Sequence, residues 1–234
     1  MDAKNWSRDM VEKIDRARAE VCDLHAELIK WGLVVWTAGN VSARVRGEAG
    51  DGTDDIMVIK PSGMAYDELT PADMVVCDLD GRIVEGTHSP SSDTAAHAYV
   101  YRHMPEVGGV THTHSSYATA FAAVGREIPC YLTMMGDEFG GPIPVGPFAL
   151  IGDDSIGKGI VETLKSSRSP AVLMQNHGPF TIGKTARASV KAAAMTEEVA
   201  RTMFLALQLG KPIEIAPELI DSLYARYQNV YGQH

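Results

Sequence analysis

The chain has 234 residues, with 21 Lys and Arg against 30 Asp and Glu, a formal charge of −9, and 45% hydrophobic residues. Those proportions suit an ordinary globular domain able to bury a core, and they exclude a nucleic-acid grip, which needs a basic field to displace counterions from phosphates. The three cysteines, Cys22, Cys77 and Cys130, contain no CxxC pair and are odd in number, so they read as free thiols of a reducing compartment and exclude a disulfide framework or a cysteine-based metal site.

The start of the chain lacks the apolar run of a signal peptide, and no stretch nears the ~18 apolar residues of a membrane span. A cytoplasmic protein with no membrane partner is therefore expected. Val11, Ile14, Ala17, Val21, Leu24 and Leu28 recur at steps of three and four, which predicts an amphipathic helix over residues 6–31. Beyond Gly32 the texture changes to that of strands at 33–36, 40–45 and 55–59, with Asp51-Gly52 as a turn between the last two. Strands at 74–78 and 82–84 flank Asp80-Gly81 as a hairpin, and Thr70-Pro71 marks a short helix start. A helix is predicted from Ser91 to His103, a strand over 108–114, and a helix over 117–124 closed by Gly125. The segment 134–141 is too rich in glycine for a core element and reads as a loop. A helix over 154–165, strands at 171–174 and 180–182 about a turn at 176–179, and helices over 185–209 and 217–228 complete the chain. No repeat or linker divides this order, which predicts a single α/β domain over residues 1–234, with a mixed, largely antiparallel central sheet flanked by helices.

Histidine spacing carries the first chemical signal. His112-Thr113-His114 lies on the predicted strand, where side chains two apart share a face, a geometry suited to two ligands of one divalent metal. The plain alternative is a chance pair of partly exposed histidines. His177, in a tight turn between two apolar strands, adds a third imidazole. Three imidazoles without cysteine describe a site for a borderline metal, Zn²⁺, Mn²⁺ or Co²⁺, with coordination positions left open for catalysis. His25, His88, His97, His103 and His234 have no spacing that suggests a site and read as surface or packing residues.

Three polar stretches, two of them with glycine, carry the second signal: Gly39-Asn40-Val41-Ser42, Lys60-Pro61-Ser62-Gly63 and Ser91-Ser92. Small hydroxyls and approachable backbone amides at strand ends and helix starts hold phosphate without a basic patch, although each stretch alone also serves as an ordinary turn or cap. Asp93 is placed either to cap a helix or to reach the metal. Asp137, in the segment 134–141, is a candidate acid or base. Tyr231 follows the last helix and, from the residues alone, reads as part of a fraying tail.

Taken in order, Gly39-Asn40-Val41-Ser42, Val58-Ile59-Lys60-Pro61-Ser62-Gly63, Asp73-Met74-Val75-Val76, Val84-Glu85-Gly86, Pro90-Ser91-Ser92-Asp93-Thr94, the stretch 109–115 and Asn176-His177-Gly178-Pro179-Phe180 resemble the class II aldolase/adducin-domain family from residue 10 to the C-terminus. The resemblance implies that family's three-layer fold, a homotetramer about a fourfold axis with active sites at subunit borders, and one divalent metal per subunit, Zn²⁺ foremost with Mn²⁺ and Co²⁺ as alternatives. It implies His112, His114 and His177 as metal ligands with Asp93 as a carboxylate ligand, and Gly39, Asn40, Lys60, Ser62, Gly63, Ser91 and Ser92 as contacts to a phosphorylated ketose. It also implies an acid/base pair, Asp137 and Tyr231, reaching in from the neighbouring subunit. Aspartate rather than glutamate at position 93 favours the family's sugar-phosphate 4-epimerases, which interconvert L-ribulose 5-phosphate and D-xylulose 5-phosphate, over its aldolases, such as those of L-fuculose 1-phosphate. Retention of the three histidines with Asp93 argues against the non-catalytic, adducin-like members. One departure is the stretch Met134-Met135-Gly136-Asp137-Glu138-Phe139, where the epimerases carry a Thr-His-Ala-Asp-Tyr-Phe-like sequence, and it bears on substrate identity more than on reaction type.

Overall fold

The apolar steps of the opening segment form helix α1 (Arg8–Lys30), started by Ser7, whose hydroxyl accepts the Met10 N–H. Met10, Ile14, Ala17, Val21, Leu24 and Leu28 make the buried stripe; Met10 takes the place expected of Val11, which faces solvent. This computed structural model describes residues 6–50, 52 and 54–230. Asp51 of the expected turn, Tyr231 and His234 lie outside the described residues.

The described strands are β1 (Asn40–Val45), β2 (Ile56–Ile59), β3 (Val75–Asp78), β4 (Ile83–Glu85), β5 (Gly109–His112), β6 (Val145–Gly146), β7 (Ala171–Met174) and β8 (Gly178–Gly183). They form one sheet in the order β4-β3-β2-β1-β5-β8-β7-β6. Every pairing is antiparallel except that of β6 with β7, so the sheet is mixed and largely antiparallel, as the sequence predicts. The remaining helices are α2 (Thr94–His103), α3 (Ser116–Ala123), α4 (Thr133–Phe139), α5 (Ser155–Leu164), α6 (Ala186–Leu209) and α7 (Pro217–Asn229). No helix among the described residues is long and apolar enough to cross a membrane.

Alternate strand residues point to opposite faces. Val41, Ala43, Val45, Ile56, Val58 and Val76 pack on α1 and α6, whereas Met57, Ile59, Val75, Cys77, Val110 and Val172 pack on α2 and α5. Burial on both faces is why β2 is a continuous apolar run instead of an alternating one. A third apolar cluster joins α3, α4 and β7 to the second half of α6 through Phe121, Met135, Phe139, Leu173, Val199 and Met203.

Three expectations are corrected. Residues 33–36 form no strand, because Trp36 adopts φ +58° and turns the chain with Val35 and Trp36 exposed; extended pairing needs φ well on the negative side. The strand expected over 108–114 ends at His112, so His114 lies past it. The loop expected at 134–141 is helix α4, closed by Gly140 at φ +62°. Its glycines admit α7: a Cβ on Gly136 would lie 2.8 Å from Leu223 Cδ1, and one on Gly140 would lie 2.7 Å from the Tyr224 ring.

Candidate metal centre

Strand register collects the site. Asn40 at the start of β1 faces His112 at the end of β5, and His112 faces Phe180 of β8. Ser42 pairs with Ile59, so β2 runs out at the same rim and delivers Lys60 there. Pro61 bridges Pro90, and the Ser91 N–H donates to the Lys60 carbonyl at 3.0 Å. That link brings the start of α2, with Asp93, to the rim that carries the histidines.

The His112 ring is buried and stacks on Phe180, with centroids 4.0 Å apart and planes at 13°. Its Nδ1 faces the Pro179 carbonyl at 3.0 Å. A carbonyl only accepts, so Nδ1 carries the proton and Nε2 presents its lone pair to the site, the arrangement that orients metal-binding imidazoles. His114 Nε2 lies 3.0 Å from His112 Nε2. His177 follows Asn176, whose φ of +57° makes the turn after β7, a left-handed conformation that asparagine tolerates. One ligand nitrogen from each of the three rings lies within 4.8 Å of the others.

Burial is the first cause that holds His112 well below the ordinary imidazole range, reinforced by His177 and His114. Burial also lowers His114 and His177, and in both Asp93 opposes the shift. All three rings are thus biased to the neutral form, the form that binds metal.

Asp93 stands at the first turn of α2 yet makes no capping bond. It is 6% exposed. Its Oδ2 accepts from Asn40 Nδ2 at 2.8 Å, while its Oδ1 is buried without a partner among the described residues, as is Asn40 Oδ1. An unsatisfied buried carboxylate oxygen is costly. The three neutral imidazoles are a donor set that fits a divalent cation, and Asp93, which does not lie within 4.8 Å of all three, stands near them as a further carboxylate.

The polar stretches meet around this centre. Asn40 Nδ2 also donates to Ser91 Oγ at 2.9 Å. Lys60 is only 2% exposed, donates to the Pro61 carbonyl at 3.1 Å and lies 5.2 Å from the centre of the Tyr66 ring; burial lowers its pKa to about 8. Gly39 has φ +91°, and a Cβ there would lie 2.8 Å from the His112 carbonyl oxygen, so the close approach of this turn to β5 demands glycine. Ser62, Gly63 and Ser92 are exposed, and the Ser62 N–H is tied to the Ser89 carbonyl at 2.9 Å.

Asp137 is not gathered with the histidines of its own chain. Its Oδ1 lies 3.2 Å from Arg226 Nη2, on the contact between α4 and α7. Tyr231 lies outside the described residues.

Among the other described histidines, His88 pairs with Asp73 and His103 stacks on Tyr99. His25 and His97 are packing residues, as read, but they also brace β1 beneath the site. The Val41 N–H donates to His25 Nε2 at 3.0 Å, and His97 Nδ1, Ser42 Oγ and Tyr101 OH form a buried chain with links of 2.7 Å. Sequence reasoning missed these partners and also Glu197, one acid among 30, which binds the start of α3. Only the placement of His97 four residues after Asp93, one helical turn on, offered a signal.

Residues 19–204 match the model of the family described as class II aldolase and adducin N-terminal domain. The L-ribulose-5-phosphate 4-epimerase UlaF of Salmonella typhi is 41% identical over 208 residues, covering 82% of this chain and 86% of that protein. UlaF of Salmonella choleraesuis matches with the same identity and coverage. Among solved structures, an L-fuculose 1-phosphate aldolase superposes with a TM-score of 0.82 at 24% identity, over 95% of this chain and 98% of that one. The L-fuculose-1-phosphate aldolase of Thermus thermophilus gives 0.67 at 23%, over 87% and 100%; at these identities the likeness is one of fold. By the extent of the sequence matches, the chain belongs to the class II aldolase and adducin N-terminal domain family.

Proposed function

We propose that this protein is a divalent-metal-dependent L-ribulose-5-phosphate 4-epimerase, an isomerase acting as a cytoplasmic homotetramer of single-domain chains. The observation that carries the reading is the convergence, at one rim of the sheet, of three imidazoles whose ligand nitrogens lie within 4.8 Å of one another; the partnerless Oδ1 of the buried Asp93 supports it. The 41% identity to UlaF supports the epimerase branch.

His112, His114, His177 and Asp93 would hold the cation, Zn²⁺ foremost with Mn²⁺ or Co²⁺ as alternatives, and the bound ion supplies Lewis-acid polarisation of the ketose oxygens. Lys60, a buried ammonium beside the site, supplies positive charge for the phosphorylated substrate. Ser62, Ser91, Ser92, Asn40 and the turns at Gly39 and Gly63 supply small donors and room for the substrate to approach the backbone.

C4 of the ketose is one carbon too far from the C2 carbonyl for its hydrogen to be acidic, so inversion there proceeds through the carbon skeleton. Removal of the C4 hydroxyl proton breaks the C3–C4 bond, and its electron pair passes to C3. The products are the enediolate of dihydroxyacetone and glycolaldehyde phosphate. After the aldehyde turns over, C3 adds to its opposite face and the new C4 alkoxide regains a proton. Asp137 and Tyr231 of a neighbouring copy would exchange that proton from opposite sides of the aldehyde.

An aldolase would instead release the aldehyde. Incubation of metal-loaded protein with L-ribulose 5-phosphate and, separately, with L-fuculose 1-phosphate separates the two. Epimerisation gives xylulose 5-phosphate with no free aldehyde from the first substrate; release of aldehyde without xylulose 5-phosphate overturns the proposal.

A further inference from the structure

Glu197 lies on α6, outside the proposed ligand set, yet its carboxylate grips the start of α3. The Tyr117 N–H donates to Oε1 and the Ala118 N–H to Oε2, each at 2.9 Å. These are the second and third residues of a helix whose N-cap, Ser115, makes no side-chain capping bond; the Thr113 hydroxyl donates to the Ser115 hydroxyl at 3.3 Å instead. Helix starts carry orphan N–H groups and positive dipole charge, and here a carboxylate from a second helix meets both needs.

That helix begins two residues after His114. The His112 ring is anchored by Pro179 and Phe180. His114 is desolvated on the side that faces the site and otherwise exposed, and the one hydrogen-bond contact of its side chain among the described residues is His112 Nε2. Its position is therefore set by the backbone on either side: the end of β5, where the Thr113 N–H donates to the Pro179 carbonyl at 3.2 Å, and the start of α3.

We infer that Glu197 is a positioning residue of the metal centre, fixing the start of α3 and through it His114, so that metal affinity depends on a carboxylate that does not touch the ion. The inference rests on the metal-site reading above. Glutamine at 197 keeps the volume but offers one acceptor oxygen where two N–H groups need two. Loss of a group bonded directly to a ligand typically costs ~10–100-fold in metal affinity, and a support one step further out is expected at the lower end, ~10-fold.

The test is calorimetric titration of chelator-stripped protein with Zn²⁺, paired with the visible spectrum of the Co²⁺ form, for wild type, Glu197→Gln, Glu197→Ala and Glu198→Gln. Glu198 is the neighbouring acid, paired with Arg201 on the surface. The expected result is Zn²⁺ binding weakened ~10-fold or more in Glu197→Gln, a changed Co²⁺ spectrum, wild-type circular dichroism of the stripped protein, and wild-type binding in Glu198→Gln. Folded Glu197→Gln that binds Zn²⁺ within about twofold of wild type, well short of the ~10-fold loss expected, overturns the inference. If wild type itself binds no metal while folded, the metal-site reading fails first and the inference falls with it.

Discussion

Asn40 and His112 are partners across the β1–β5 register, and the Asn40 side chain hands that position on to Asp93 through a 2.8 Å hydrogen bond. One amide thus joins β1, the strand paired with the one that bears His112, to the helix start that bears the carboxylate. Asn40→Ala leaves Asp93 Oδ2 without this donor, which costs about 1–3 kcal/mol of stability and lowers metal affinity about tenfold. Urea unfolding and Zn²⁺ titration of the variant check both effects; wild-type values in both would mean that Asp93 is held by something else.

Acid should unfold the metal-free protein through its buried histidines. Burial lowers His25 and His97 from 6.5 to about 3. Each is neutral when folded and takes up a proton when unfolded, so the stability it contributes is fully present above pH 6.5 and is lost as pH falls towards 3. Each contributes at most ~1.4 kcal/mol per pH unit across that window. Urea midpoints of chelator-stripped protein at pH 7, 6 and 5 should fall steadily, and His97→Gln should remove about one proton from the slope. An unchanged slope in that variant would contradict the buried neutral assignment.

Lys60 sets a second pH dependence, with the opposite consequence. Its charge is lost as pH rises through about 8, in a setting where Tyr66 and the neutral His25 are the titratable neighbours. KM for the phosphorylated ketose should therefore rise above that pH, and Lys60→Met should raise KM more than it lowers kcat and abolish the step. A steady-state pH profile of both proteins measures this, and a retained step in Lys60→Met would assign it to another group.

The contact of α7 with α4 can be loosened at one atom. Gly140→Ala forces a side chain into φ +62° and drives Cβ to 2.7 Å from Tyr224, which should destabilise the protein by about 1–3 kcal/mol and displace α7. If Asp137 and Tyr231 act as the acid/base pair, kcat falls while metal content stays at the wild-type level. Loss of metal together with activity would place the effect at the histidines instead.

The parts of this fold legible in the sequence are those fixed by local chemistry. The steps of three and four between apolar residues mark α1, and continuous apolar runs mark β2 and β7, which are buried on both faces. What was not legible depends on distant partners. Gly136 and Gly140 look like loop residues until α7 is seen against them, and β6 is two residues long and defined by its pairing with β7. The three histidines and the polar stretches are visible as motifs. The bonds that orient them, from Asn40 to Asp93 across 53 positions and from Glu197 to Tyr117 across 80, follow no local spacing.

The most direct test follows L-ribulose 5-phosphate by ³¹P NMR in metal-loaded protein, in protein stripped by a chelator, and after one equivalent of Zn²⁺ is restored. D-xylulose 5-phosphate should accumulate without free glycolaldehyde phosphate in the loaded protein, cease to form in the stripped protein and form again on restoration. Undiminished conversion by the stripped protein, or release of the aldehyde without xylulose 5-phosphate, would contradict a metal-dependent 4-epimerase.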